Sequence, residues 1–137
     1  MGVTILVLCT GNSCRSQFAE AFLGRAGGDR LTVQSAGTHP SGVHPLTIRT
    51  LAEVGIDWSS ARSKSMTEFL DQPFDIVITV CDDAAEACPV FPGGGRRIHR
   101  AFRDPARVAG TEPERLAAFR LVRDEVATWA DELVAEV

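Results

Sequence analysis

Six residues near the start of the chain, Val3 to Leu8, form a nearly continuous apolar run, as expected of a central parallel strand covered on both faces. The next residues narrow the fold further. Cys-Thr-Gly-Asn-Ser-Cys-Arg-Ser-Gln at 9–17 leads into a segment where Phe18, Ala19, Phe22 and Ala26 recur at helical spacing and Gly27-Gly28 supplies the stop. A loop of small polar residues between strand and helix lies where open α/β sheets place their ligands, at the carboxyl end of a strand. Between Cys9 and Arg15, Thr10, Gly11, Asn12 and Ser13 are all able to turn their backbone N–H groups inward. Such a loop is a nest for a tetrahedral oxyanion: unpaired N–H donors and the positive end of a helix stabilise the anion, and Arg15 grips two of its oxygens. The same field favours a thiolate, and hence a nucleophile, at Cys9. In a chain with many arginines the Cys-x5-Arg spacing says little by itself, and a plain strand-to-helix turn around a buried cysteine is the alternative. The flanking strand and helix carry the reading.

The rest of the chain keeps alternating. Leu31 to Ala36 reads as a strand, Gly37 to Gly42 as loop, and Pro45 to Val54 as a helix closed by Gly55. Ser65-Met-Thr-Glu68 has the pattern of a capping box opening a short helix through Leu70. Phe74 to Val80 is a second strongly apolar strand, Gly93 to Gly95 a turn, and Arg96 to Phe102 a weaker strand. Thr111-Glu-Pro-Glu114 is another capping box, after which Phe119, Val122, Val126, Trp129, Leu133 and Val137 trace one face of a long helix. Strands alternating with helices mean a parallel sheet, an α/β fold, and 137 residues suit one domain, 1–137.

A net charge of -4 with no basic tract argues against a nucleic-acid or anionic-membrane surface. Met1 to Leu8 has no basic region, too few apolar residues and no cleavage site, so neither a signal peptide nor a membrane span is expected, and a cytoplasmic location is. Cysteines stay reduced there, so four of them suggest chemistry or metal. Cys9-x4-Cys14 and Cys81-x6-Cys88 do not match the short zinc knuckles, and no metal is expected.

Cys81, like Cys9, stands at a strand's carboxyl end, seven positions before Cys88. Taken alone, the two are as well read as inert buried thiols. Beside an activated Cys9 they gain weight. An oxyanion adduct on Cys9 is resolved by water in a hydrolase or by a second thiol in a reductase, and a nearby thiol pair favours the reductase.

These motifs, with Ser-Ala-Gly at 35–37, Cys-Asp at 81–82, Cys-Pro at 88–89 and Asp-Pro-Ala at 104–106, make the chain similar to the thioredoxin-coupled arsenate reductases, which share the fold of the low-molecular-weight protein tyrosine phosphatases. The resemblance runs from residue 3 to the last helix. It implies a three-layer sandwich with a central four-stranded parallel sheet and helices on both faces. It implies Cys9 as nucleophile, an oxyanion loop of Thr10, Gly11, Asn12, Ser13, Cys14, Arg15 and Ser16, and Asp104 as general acid. Asn12 and Ser16 would order the loop, while Cys14 is read as structural. Cys81 would attack the Cys9 adduct and Cys88 would then attack Cys81, leaving a Cys81–Cys88 disulfide for thioredoxin, with no bound cofactor. Phosphate and sulfate would compete with arsenate, and the protein would be a monomer. Asp104 without the resemblance is an ordinary Asp-Pro turn.

One departure stands out. Some members of the resembled family bind potassium through positions matching Asn12, Glu20 and Ser35 and an acidic residue that falls at Lys64 here. Either the ammonium takes the ion's place against Glu20, or the region is surface.

Two rivals remain. A phosphatase would use the same loop with water, but Gln17 stands where those enzymes usually have Pro, and the chain has no Tyr. A non-enzymatic oxyanion-binding or thiol-switch protein would show no turnover. The stretch Asp82 to Ala87 favours a short helix. Such a helix would hold the Cα atoms of residues 81 and 88 about 10 Å apart, beyond disulfide reach of roughly 4.4–6.8 Å. Oxidation would therefore have to unwind it.

Overall fold

The computed structural model describes residues 2–82 and 95–137. Four strands, β1 (Val3–Cys9), β2 (Leu31–Gly37), β3 (Ile76–Thr79) and β4 (Arg96–His99), form one parallel sheet in the order β2-β1-β3-β4. Ile5 to Cys9 are all buried, which is what the unbroken apolar run requires of an interior strand. Helices α1 (Arg15–Gly27), α2 (Pro45–Ala52) and α3 (Glu112–Glu136) complete the layers. α1 lies against β1 and β2 and packs on α3, which also meets α2. Phe18 and Phe119 are fully buried there, each contributing roughly 1.5–3 kcal/mol of apolar burial. No helix among the described residues is long and apolar enough to cross a membrane.

The strand order sets the site. β2 lies on one side of β1 and β3 on the other, so the crevice beyond the carboxyl ends of β1 and β3 is the switch point where an open sheet accepts ligands. Cys9 ends β1, and Cys81 follows β3 by two residues.

Several boundaries differ from the sequence reading, each for a visible reason. β4 stops at His99 rather than Phe102: the Phe102 ring turns to meet Trp129 edge-on at 5.6 Å. The helix from Pro45 ends at Ala52, and Gly55 at φ 82° closes the turn as Ile56 N–H returns to Leu51 O. Ser65 opens only a 3-10 turn, Met66–Phe69, by accepting from Thr67 N–H. The expected box does not form, because the Ser65 hydroxyl takes Thr67 N–H while Glu68 N–H turns to Ser65 O at 3.1 Å, and the Glu68 carboxylate pairs with Arg62 at 2.8 and 3.1 Å. The box at Thr111 and Glu114 does form. On α3, Trp129 and Val137 are only partly buried, while Leu116, Ala130 and Val134 join the buried face. Cys88 and the stretch 83–87, including nearly all of the expected short helix, lie outside the described residues.

Candidate active site

The loop after β1 is shaped by what its carbonyl groups do. Six consecutive carbonyls are taken up by the surrounding chain: Cys9 O by Thr38 N–H, Thr10 O by His39 N–H, Gly11 O by Ser41 N–H and the Ser63 hydroxyl, Asn12 O by the Gln17 amide, Ser13 O by His44 N–H and the Thr47 hydroxyl, and Cys14 O by Phe18 N–H. A planar trans peptide points its N–H opposite its C=O. With the carbonyls drawn outward, the N–H groups from Thr10 to Arg15 turn inward, which is the geometry of an anion nest. Asn12 adopts φ 47° to make the turn, a conformation that asparagine tolerates better than most residues. Gly37, in the Ser-Ala-Gly motif, is needed because a Cβ there would sit 2.6 Å from Thr10 O and 3.0 Å from Asn12 N.

At the base of the nest lies Cys9, 2% exposed. Asn12 N–H donates to its sulfur at 3.2 Å, and the Ser16 hydroxyl is 2.8 Å away. The nest opens into a cavity of about 730 Å³ whose walls include Cys81, Asp104 and Arg15. The Cys81 sulfur is 3.4 Å from the Thr10 hydroxyl, so the second cysteine meets the loop itself. Arg15 donates to Phe102 O at 3.3 Å and lies 3.5 Å from Asp104 Oδ2. Asp104 Oδ1 accepts from Ala106 N–H at 3.0 Å. The carboxylate therefore serves the Asp-Pro turn with one oxygen and faces the cavity's guanidinium with the other. The Asp-Pro turn of the sequence reading is thus present, with the second oxygen left at the cavity wall.

Cys14, included in the oxyanion loop, is 4% exposed. Burial pushes its thiol from an ordinary 9.0 up to about 11, outweighing its hydrogen bonds with Ser13 and Thr47. A thiol held this way is a poor nucleophile at neutral pH, in keeping with a structural part. The raised value stabilises the fold below pH 9; above it the unfolded chain ionises first and stability drains away until about pH 11. The loss expected across that window is about 2–3 kcal/mol. Denaturant midpoints measured from pH 8 to 11 under reducing conditions should show it, and Cys14→Ala should flatten that part of the slope. His44 moves the other way: burial, then Arg115, lowers its pKa, and as a neutral ring it caps α2 by accepting Leu46 N–H at Nδ1.

Lys64 is not free surface. Its side chain is 11% exposed, and its Nζ lies 3.3 Å from Glu20 Oε1 and 3.1 Å from Gln34 Oε1. Among the described residues, no three His, Cys, Asp or Glu side chains converge as a metal site.

With the nest, the cavity and its cysteines placed, the comparisons with known proteins are specific. A model of the low molecular weight phosphotyrosine protein phosphatase family matches residues 4–137. The chain belongs to that family. Two arsenate reductases, from Halalkalibacterium halodurans and Bacillus subtilis, are each 45% identical to it over 122 residues, 89% of this chain and 88% of theirs. A solved arsenate reductase in its phosphate-binding state superposes with a TM-score of 0.79 at 31% identity, covering 98% of both chains. A thioredoxin-dependent arsenate reductase from Corynebacterium glutamicum gives 0.75 at 28%, covering 96% of this chain and 60% of that one.

Some features of the site escaped the sequence reading. Gln17, noted there only as a departure from Pro, is fully built into the loop's support: its amide donates to Asn12 O and Arg62 O and accepts from the Trp58 indole N–H at 2.8 Å. Arg103 and Arg107 flank Asp104 at the cavity wall, with Arg107 3.6 Å from Asp104 Oδ2. Their placement on either side of Asp-Pro was visible in the sequence. The partners of the loop carbonyls, scattered over 38–47 and at Ser63, had no local signal.

Proposed function

We propose that this protein reduces arsenate to arsenite, using Cys9 as nucleophile and Cys81 and Cys88 as successive resolving thiols, with thioredoxin as the reductant. The observation that carries the reading is Cys81 in the wall of the cavity that Cys9 floors, its sulfur against Thr10 of the nest; a hydrolase has no use for a thiol there. The identity of the chain with arsenate reductases supports the substrate, and the thioredoxin-dependent neighbour supports the reductant.

In this reading arsenate sits in the nest with its oxygens on the inward N–H groups and Arg15, and phosphate or sulfate competes for the same donors. The Cys9 thiolate attacks arsenic, forming a sulfur–arsenic bond as an oxygen departs with a proton from Asp104. Arsenic is still pentavalent. Cys81 then attacks the Cys9 sulfur; the electrons of the sulfur–arsenic bond stay on arsenic, arsenite leaves, and a Cys9–Cys81 disulfide carries the two-electron oxidation. Cys88 attacks Cys81, freeing Cys9, and a thioredoxin dithiol reduces the Cys81–Cys88 bond. Once arsenate engages Arg15, Asp104 Oδ2 exchanges its guanidinium neighbour for the departing oxygen. Aryl phosphates entering the nest should be hydrolysed slowly as a side reaction. No Phe, Trp or Tyr side chain among the described residues lines the cavity to hold an aryl group.

The test is arsenite production with thioredoxin, thioredoxin reductase and reduced nicotinamide. Nicotinamide oxidation should match arsenite mole for mole. Phosphate release from aryl esters without any arsenite would make the protein a phosphatase instead, and no turnover of either would leave an oxyanion-binding protein. Asp104→Asn should lower the turnover rate by roughly 100-fold, the usual contribution of a positioned general acid, with the KM for arsenate changed little. A loss of only a few-fold would assign the leaving proton to water.

A further inference from the structure

Lys64 is the only lysine in the chain, and it sits at the start of an ordered line of hydrogen bonds ending on the Cys9 sulfur. Glu20 Oε1, which its ammonium faces at 3.3 Å, also receives the Ser35 hydroxyl at 2.6 Å. An ionised carboxylate only accepts, so Ser35 must donate to it. The Ser35 oxygen is then left to accept from Asn12 Nδ2 at 2.9 Å. The other end of the Asn12 amide is fixed as well, because Oδ1 accepts the backbone N–H of Lys64 at 2.8 Å. The second proton on Nδ2 therefore goes to Ser16 Oγ at 2.8 Å, and the Ser16 O–H is left to point at Cys9 Sγ, also at 2.8 Å. Asn12, Ser16 and Ser35 are fully buried, so water cannot substitute for a missing partner along the line.

We propose that Lys64 is a positioning residue for Cys9: its ammonium holds Glu20 Oε1 against the Ser35 hydroxyl, and through Ser35, Asn12 and Ser16 this fixes the hydroxyl that donates to the nucleophile's sulfur. The inference rests on reading Cys9 as the nucleophile. Without the ammonium, Glu20 loses the partner that fixes its carboxylate and draws a cation from solvent in its place, and the Ser35 hydroxyl is no longer held. Phe69, its ring centroid 5.9 Å from Nζ, encloses the ammonium further.

The test compares Lys64→Met and Lys64→Arg with the unaltered protein. The readouts are the rate at which iodoacetamide labels Cys9 at pH 6, followed by peptide mass spectrometry, and the kinetics of arsenate reduction. Lys64→Met should slow Cys9 labelling about tenfold, the scale of losing one hydrogen bond to the sulfur. It should lower kcat with little change in KM, since Arg15 and the nest still hold the anion. Potassium or ammonium ions should restore part of the lost rate in Lys64→Met when compared with tetramethylammonium at equal ionic strength, and should not change the unaltered protein. Lys64→Arg, which keeps the charge, should label Cys9 at close to the original rate. If Lys64→Met does not fold, ¹⁵N-lysine labelling of the unaltered protein gives a single side-chain amine signal, which should shift when Cys9 is alkylated. Cys9 labelling at the original rate in folded Lys64→Met, or an amine signal indifferent to Cys9, overturns the proposal. Arsenate turnover surviving in Cys9→Ser would instead overturn the assignment of the nucleophile, a separate outcome because Cys9 labelling is read without turnover.

Discussion

Replacing Cys9 by serine is expected to remove arsenate reduction altogether, by a factor of about 10⁴ or more, equivalent to more than ~5 kcal/mol of barrier. The reason is ionisation and bond strength together. A serine hydroxyl in the same place stays protonated at neutral pH and is a far weaker nucleophile. Even an oxygen–arsenic adduct would offer no sulfur for Cys81 to attack, so the electrons for reduction could not be delivered. The fold should survive, because the hydroxyl can still accept from Asn12 N–H and meet the Ser16 hydroxyl, the two partners of the sulfur. Anion binding should survive too, since the nest is made by backbone N–H groups and Arg15. Sulfate affinity measured by calorimetry therefore separates loss of chemistry from loss of structure. Unchanged arsenite formation by a protein that still binds sulfate would remove Cys9 from the mechanism.

Much of this site was legible in the sequence because its key features are local. The apolar run at Val3–Leu8 announces an interior strand, and the short polar loop at its end announces an anion site, since strand, loop and helix succeed each other within a few residues. The same locality explains why the box at Thr111 and Glu114 formed. The box expected at Ser65 and Glu68 did not close, because the Ser65 hydroxyl is taken by Thr67 N–H, and Arg62, outside the pattern, holds Glu68 in a charge-assisted pair. The nest's support is likewise non-local. Gly37 to Gly42 read as plain loop, yet Thr38, His39 and Ser41 within it and His44 just beyond supply four backbone N–H groups to the carbonyls of Cys9, Thr10, Gly11 and Ser13. Only the parallel pairing of β1 with β2, which brings Gly37 beside Cys9, places them there. Lys64 was readable as a charge reversal whose ammonium either pairs with Glu20 or lies on the surface. Its pairing with Glu20 spans 44 residues, and the sequence leaves both surface and site open. The roles of Cys88 and the stretch before it rest on the family resemblance and on chemistry.

Cys81→Ser is expected to separate two reactions that share Cys9. Multiple-turnover arsenate reduction should fall by about 10³ or more, the scale of removing a nucleophile from its step. Hydrolysis of a small aryl phosphate should stay within a few-fold of the original rate. That second reaction needs the nest, Arg15, Asp104 and a water, and the hydrogen bond that joins Cys81 to this group, to the Thr10 hydroxyl at 3.4 Å, is one that serine can replace. Cys88→Ser should look the same in steady state but stop at a different stage. With Cys81 intact, one arsenite per chain should form, and two thiols should disappear into a Cys9–Cys81 disulfide. With Cys81 replaced, no arsenite should form, because the oxidation of Cys9 would lack its second thiol. A single-turnover experiment that counts arsenite and free thiols distinguishes the two variants. One equivalent of arsenite from Cys81→Ser would mean that Cys88 attacks the Cys9 adduct directly, reversing the order of the cascade. Parallel loss of phosphate hydrolysis in both variants would mean instead that Cys81 supports the nest rather than the redox step, since no thiol other than Cys9 takes part in breaking a phosphate ester.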